Sequence, residues 1–136
     1  MEPTPRDLDR LVAAALEARE GAYAPYSGFT VGAAVLTEDG SIFTGANVEN
    51  ASYGLSVCAE RHAVGAAVGH GHRSLVALAV VTGTTPPASP CGACRQVLVE
   101  FGPLAVILAN PSGQRVVTTD RELLPMAFVP DVLRRP

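Results

Sequence analysis

Two short stretches of the sequence contain the side chains best suited to chemistry: Cys-Ala-Glu-Arg at 58–61 and Pro-Cys-Gly-Ala-Cys at 90–94. Each stretch lies where a pattern of helical apolar spacing begins. Cys91 and Cys94 are three residues apart, so their sulfurs lie on one face of a first helical turn. The positive N-terminus of a helix also favours a thiolate over a thiol. If the two helix starts converge, Cys58 joins this pair and the three thiolates can bind one Zn²⁺ per chain.

The number of protein ligands separates structural zinc sites from catalytic ones. A structural site usually has four, whereas a catalytic site has three and leaves the fourth position to water. The chain has three cysteines, and His62 lies four residues beyond Cys58, one turn further from the helix start. We therefore expect an open position on the metal, with His62 packed or hydrogen-bonded nearby. A His62 ligand is the less favoured alternative.

Glu60 and two arginines lie close in sequence to the candidate ligands. A carboxylate beside zinc-bound water can take its proton and pass it on, whereas the simpler alternative is a solvated glutamate in a first helical turn. Three thiolates on Zn²⁺ leave a net negative charge, which makes bound water less acidic. Arg61 and Arg95 are the candidates to withdraw this charge by hydrogen bonding to the sulfurs. An ordinary surface position is the alternative for each arginine.

The segments that must position these residues alternate between helices and strands after an initial hairpin. Thr4 and Asp7 form the start signal of a first helix that Gly21 ends, and the Asp-Gly pair at 39–40 predicts the hairpin turn. The order predicts an α/β fold of three layers, α/β/α, with a mixed, roughly five-stranded sheet covered by helices. We expect a single domain of residues 1–136. The predicted segments are strands near 29–37, 41–48, 74–83, 104–110 and 114–119, helices beginning near 58 and 91, and a short helix in 120–128 that Pro125 interrupts.

The composition excludes several classes of function. All ten basic residues are arginine, so the chain has neither a Schiff-base lysine nor a P-loop lysine. The net charge of −3 and the scattered arginines argue against a nucleic-acid partner. With 48% hydrophobic residues, the chain has either an unusually complete core or, as we favour, an apolar surface that other copies of the chain bury.

The expected location follows from the cysteines and the apolar runs. Three cysteines are an odd number, and the N-terminal stretch has no secretory apolar run, which together argue against a disulfide framework. No apolar run reaches the ~18 residues of a membrane span, so we expect no membrane partner. We therefore expect a cytoplasmic protein whose thiols are reduced.

Four stretches in order resemble the short, homotetrameric cytidine deaminases: AYAPYSGFTVGAA, TGANVENASYG, CAER and PCGACRQ. C-x-E followed by P-C-x-x-C is the pattern of zinc-dependent nucleobase deaminases, with cysteine in place of histidine. The resemblance runs from Tyr23 to Phe101 and continues more weakly through ELLPMAF. It implies hydrolytic deamination of cytidine and 2′-deoxycytidine to uridine, 2′-deoxyuridine and ammonia in pyrimidine salvage, by attack of zinc-bound hydroxide at C4. It also implies a homotetramer whose active sites are shared between subunits.

The resemblance assigns the chemical roles residue by residue. Cys58, Cys91 and Cys94 would bind the zinc, and Glu60 would be the catalytic residue that carries protons. The backbone N–H of Ala59 would meet the carbonyl oxygen of the base. Arg61 and Arg95 remain the candidates to withdraw negative charge from the sulfurs by hydrogen bonding.

The resemblance also implies the substrate contacts. Asn47 and Glu49 would hydrogen-bond the ribose hydroxyls, and Phe29 would lie against the pyrimidine. The simpler alternatives are a core position for Phe29, a turn for Asn47 and solvation for Glu49. Three further residues would reach the site of a neighbouring subunit: Ala51, Tyr53 and Phe128.

Two rival functions remain open on sequence alone. A deaminase that resembles the blasticidin S enzymes shares C-A-E and P-C-G-x-C-R-Q, although NVENASYG favours a nucleoside substrate. A non-catalytic, zinc-stabilised module is a different class and predicts a closed site with four ligands. Release of ammonia from cytidine separates the enzyme from the module.

Overall fold

The computed structural model describes residues 2–134. Within this range the chain forms a five-stranded sheet, five α-helices and a short 3₁₀ helix. The predicted domain of residues 1–136 includes Met1, Arg135 and Pro136, which lie outside the described range, and it stays a prediction. The bounds in chain order are α1 (Pro5–Arg19), β1 (Val31–Thr37), β2 (Ile42–Ala46), the 3₁₀ helix (Tyr53–Leu55), α2 (Ala59–Gly69), β3 (Leu75–Thr82), α3 (Gly92–Glu100), β4 (Ala105–Ala109), β5 (Arg115–Thr119), α4 (Asp120–Leu123) and α5 (Pro130–Arg134).

The sheet is mixed and has the strand order β2-β1-β3-β4-β5. β3 and β4 are parallel and are joined through α3, whereas the other three pairs are antiparallel. A parallel pair needs such a crossover because its strands run in the same direction. The β1-β2 hairpin turns at Gly40, whose φ of +86° glycine adopts more readily than other residues.

Helices cover both faces of the sheet. α1 packs on one face, where Leu11 and Ala15 are fully buried against β1, β3 and β4. α2 and α3 pack on the opposite face, where Ala63, Ala67 and Leu98 are fully buried. β1 and β3 are buried along their whole length because they lie between these two layers. This arrangement confirms the predicted three-layer α/β/α fold with a mixed sheet.

Near its N-terminus the chain has the predicted helix cap, and near its C-terminus it has a helix that the sequence did not predict. At the start of α1, the Thr4 side chain accepts from the Asp7 N–H and the Asp7 carboxylate accepts from the Thr4 N–H, which is the predicted capping box. α5 has no predicted counterpart, because a helix of five residues is too short to show periodicity. Within residues 2–134, no helix has the length and apolar character needed to cross a membrane.

Gly45 in β2 allows α2 to approach the sheet closely. A Cβ added at Gly45 would lie 2.6 Å from both the Ala59 carbonyl oxygen and the Ala63 nitrogen. These are backbone atoms in the first turns of α2, which cannot move aside as a flexible side chain would. The absence of a side chain at Gly45 therefore sets the distance between the sheet and α2, the helix that carries Glu60.

We predict that Gly45→Ala lowers the free energy of unfolding by about 1–3 kcal/mol, because the added methyl group overpacks the interface between β2 and α2. Chemical denaturation measures this change. Gly21→Ala is the control, since its added Cβ would meet only the Ala18 carbonyl oxygen, at an ordinary 3.5 Å, and we expect less than about 0.5 kcal/mol there. Equal losses in the two variants would contradict the close-approach explanation.

Candidate active site

The three cysteine sulfurs meet where two helices begin. Cys58 is the residue before α2 and Cys91 the residue before α3, while Cys94 lies in the first turn of α3. The Sγ atoms of Cys58 and Cys91 are 3.9 Å apart, those of Cys91 and Cys94 are 3.6 Å apart, and all three lie within 4.8 Å of one another. A tetrahedral zinc ion with Zn–S bonds of about 2.3 Å separates its sulfurs by about 3.8 Å. The donor set therefore fits one zinc ion.

Within residues 2–134, these cysteines form the one group of three or more potential metal ligands close enough to share an ion. His62 is not a member. Its side chain is exposed on α2, and its Cβ lies on the side of α2 that packs over Gly45. Three sulfurs without a fourth protein ligand correspond to the open type of zinc site.

Arg61 reaches the sulfurs and Arg95 does not bond to them. Arg61 Nη2 lies 3.6 Å from the Cys58 sulfur. The Cys94 thiol and the Arg61 guanidinium lower the pKa of Cys58 to about 5, although burial opposes them. The Cys58 thiolate in turn raises the pKa of Arg61. Arg95 instead donates to two backbone carbonyls, from Nε to Pro90 and from Nη1 to Leu123, at 2.8 Å each.

Glu60 is a buried carboxyl group that lines the same cavity as Cys58 and Cys91. Its exposed fraction is 5%, because the first turn of α2 lies against the sheet. Burial raises the pKa of Glu60, and the nearby Cys58 thiolate raises it further, while Arg61 opposes the shift. A buried carboxyl group with a raised pKa is suited to exchanging protons with a bound molecule.

A cavity of about 190 Å³ opens onto this group. Four residues that form its wall were not predicted: Val31, Thr82, Ala88 and Ser89. Val31 and Thr82 come from the ends of β1 and β3. Ala88 and Ser89 directly precede the Pro-Cys-x-x-Cys motif, so the position of that motif could have indicated these two residues. Six predicted site residues line the same cavity: Phe29, Asn47, Cys58, Ala59, Glu60 and Cys91.

The side chain of Asn47 is bonded to the backbone of the strand opposite it. Its Oδ1 accepts from the Val31 N–H and its Nδ2 donates to the Phe29 carbonyl oxygen, both at 2.8 Å. These side-chain bonds replace strand pairing, which explains why β1 begins at Val31 rather than at Phe29 as predicted. Asn47 thus holds Phe29 at the mouth of the cavity.

Glu49 lies in a different cavity, of about 260 Å³, with Tyr26, Ser27, Tyr53 and Ser56 around it. Its carboxylate accepts from the Tyr26 N–H at 2.9 Å, from the Ser27 N–H at 3.1 Å and from the Ser27 hydroxyl. The hydroxyl bond is the main cause that lowers the pKa of Glu49, with the two N–H groups adding to it. Within a single chain, Glu49 therefore does not line the cavity beside the cysteine sulfurs.

Comparison with known proteins gives this site its family. Residues 5–110 match the family model described as "Cytidine and deoxycytidylate deaminase zinc-binding region". A cytidine deaminase from Halalkalibacterium halodurans is 54% identical over 124 residues, which cover 90% of this chain and 94% of that one. The chain belongs to the cytidine deaminase family.

Solved structures of the family agree with the fold. The crystal structure of cytidine deaminase from Burkholderia pseudomallei superposes with a TM-score of 0.86 and 55% identity, covering 88% of this chain and 98% of that one. A blasticidin-S deaminase from Bacillus cereus is more distant, at 31% identity over 72% of this chain and 76% of that one. The family's zinc-binding region includes the three cysteines, which are positioned to bind one metal ion.

The remaining predicted site residues lie on the surface of the chain. Ala51, Tyr53 and Phe128 are exposed and do not line the cavity at the sulfurs, with Tyr53 75% and Phe128 58% exposed. The Phe128 carbonyl oxygen accepts from the Gln96 side chain at 2.8 Å. Their assignment to the site of a neighbouring subunit stays a prediction.

We predict that Asn47→Ala lowers the free energy of unfolding by about 1–3 kcal/mol, because it removes two hydrogen bonds, a partly buried one from the Val31 N–H and one to the Phe29 carbonyl oxygen. Thermal or chemical denaturation without substrate measures the change, so ribose binding does not contribute. Asn50→Ala is the control, since Asn50 Oδ1 accepts only from the nearby Ser52 N–H in an exposed loop. A loss no greater than that of the control would contradict the structural role of Asn47.

Proposed function

We propose that the protein hydrolyses cytidine and 2′-deoxycytidine to uridine and 2′-deoxyuridine with release of ammonia. The observation that carries the proposal is that Cys58 and Cys91, two of the three clustered cysteines, line one small cavity together with the buried Glu60, Phe29 and Asn47. Membership of the cytidine deaminase family supports it. Production of uridine nucleosides by this reaction belongs to pyrimidine salvage.

Cys58, Cys91 and Cys94 would hold the zinc, as their spacing and donor type permit. When bound, zinc supplies a Lewis acid that makes water nucleophilic enough near neutral pH to attack C4 of the pyrimidine. Arg61, 3.6 Å from the Cys58 sulfur, offsets the negative charge of the thiolates. The sequence alone did not decide whether Arg61 or Arg95 offsets this charge, and we assign the role to Arg61.

Glu60 moves both protons of the attacking water. Its carboxylate takes one proton as the oxygen bonds to C4 and delivers it to the ring nitrogen N3, where it stays in uridine. It then takes the second proton and gives it to the amino group, so the C4–N bond breaks and ammonia leaves. The burial that raises the pKa of Glu60 suits it to release as well as to accept a proton.

The substrate contacts remain proposals at named positions. Phe29 lies against the pyrimidine and the Ala59 N–H donates to the base carbonyl, and both residues line the cavity. Asn47 and Glu49 bind the ribose hydroxyls. Asn47 lines the cavity. Glu49 lies in the loop that follows it, where its carboxylate accepts hydrogen bonds from the Tyr26 and Ser27 N–H groups.

We also propose a homotetramer with active sites shared between subunits, located in the cytoplasm. Several large apolar side chains are exposed on the single chain, as an interface between copies would require: Tyr23, Tyr26, Tyr53, Leu55, Met126 and Phe128. Reduced thiols, which the zinc ligands need, persist in the cytoplasm. Light scattering coupled to size exclusion tests the assembly, and a monomer would count against shared sites.

The direct test of function is ammonia release by the zinc-loaded protein from cytidine and 2′-deoxycytidine, with blasticidin S and free cytosine as comparison substrates. We expect ammonia from both nucleosides, with an equal amount of uridine product. Release from blasticidin S alone would support the related deaminase instead. A zinc-loaded, folded protein that releases no ammonia from any of the four would favour a non-catalytic zinc module.

We predict that Glu60→Gln lowers the turnover number for cytidine by at least about 10²–10⁴-fold, because the amide cannot accept and return protons. Zinc content, measured by atomic absorption, should stay at the wild-type level since Glu60 is not a ligand. Wild-type turnover in a zinc-replete variant would remove Glu60 from the mechanism.

A further inference from the structure

Arg95 connects the loop that carries a metal ligand to a separate part of the chain. Its Nε donates to the carbonyl oxygen of Pro90, the residue directly before Cys91. Its Nη1 donates to the carbonyl oxygen of Leu123, the last residue of α4. Both distances are 2.8 Å, within the range of strong hydrogen bonds from a charged donor.

The α4 end of this connection is itself fixed to the sheet. Asp120, the first residue of α4, is 1% exposed. Its N–H donates to the Leu104 carbonyl oxygen, and its Oδ1 accepts from the Leu104 N–H, both at 3.2 Å. Leu104 directly precedes β4. Hydrogen bonds and the backbone of α4 therefore connect the start of β4, through Arg95, to the residue before Cys91.

The rigid guanidinium explains why an arginine fits this position. A planar group with several N–H donors in fixed directions holds two carbonyls at once, whereas a lysine ammonium is a single flexible point charge. Pro90 is buried, so its carbonyl oxygen has little access to water once the guanidinium is removed. An unpaired buried acceptor would drive the loop to shift, and the Cys91 sulfur would move with it.

We propose that Arg95 is a positioning residue for the metal centre, which fixes Cys91 relative to Cys94 through the Pro90 carbonyl. It acts through backbone geometry, in contrast to Arg61, which acts on the sulfur charge. The inference rests on the proposed zinc ligands but not on the identity of the substrate. Its test therefore measures the binding of metal rather than catalysis.

The experiment measures zinc affinity by competition between the holoenzyme and a chromogenic chelator. We expect Arg95→Met to weaken zinc affinity by about 10–100-fold, the usual effect of removing a group that orients a metal ligand. Arg73→Met is the matched control, because Arg73 also donates to two carbonyls, those of Val68 at 2.7 Å and His72 at 3.2 Å, at the far end of α2. We expect its zinc affinity to stay within about twofold of wild type, since it does not act on a metal ligand.

Arg95→Lys separates geometry from charge and decides the test even if Arg95→Met does not fold. It keeps the positive charge but cannot hold both carbonyls, so we expect a zinc affinity clearly below that of wild type. The thiolate-to-metal absorption of the cobalt-loaded variant should also differ from that of wild type. Wild-type affinity and spectrum in Arg95→Lys would overturn the proposal, as would equal zinc affinities in Arg95→Met and Arg73→Met. A wild-type protein that holds no zinc would instead overturn the proposed function, and this inference with it.

Discussion

The meeting of two helix starts at one point is the constraint on which the rest of the structure depends. Cys58 precedes α2 and Cys91 precedes α3, and their sulfurs approach to 3.9 Å only because both helices lie on the same face of the sheet. β3 and β4 are parallel, so their connection is a crossover, and its helix α3 packs on that face. Gly45 then lets α2 pack against β2 at a distance that any side chain would increase. The packing of α2 and α3 on the sheet thus fixes the positions of the three sulfurs.

Bringing thiolates and a carboxylate together is electrostatically costly, and the site contains the groups that offset this cost. The Cys94 thiol and Arg61 favour negative charge on Cys58, whose pKa falls to about 5 although burial opposes the shift. Glu60 is buried beside that charge, so its own pKa rises. Cys58, Cys91 and Cys94 would hold a zinc ion, which would supply the positive charge that three thiolates need. The arrangement thus places a group of sulfurs suited to one metal ion beside a carboxyl group whose pKa is raised.

The sequence predicted those features that depend on local spacing. The three-layer fold follows from the order and periodicity of the segments, and the cysteines from their position at helix starts. The Arg61 contact was also accessible, because residues three apart share a helix face with Cys58. Arg95 was not, since the residue that follows Cys94 points elsewhere and its partner Leu123 is 28 residues away. The same holds for Asn47 and Glu49, whose bonds reach 16 to 23 residues along the chain and appear only once the loops have folded together.

We expect the protein to hold zinc through three cysteine sulfurs, with the fourth position on the metal open to water. X-ray absorption at the zinc edge of the holoenzyme without substrate tests this most directly, because it counts ligands by element and distance. Three sulfurs at about 2.3 Å and one oxygen at about 2.0 Å are expected. A fourth sulfur, or the pattern of a histidine ring in the fourth position, would contradict it.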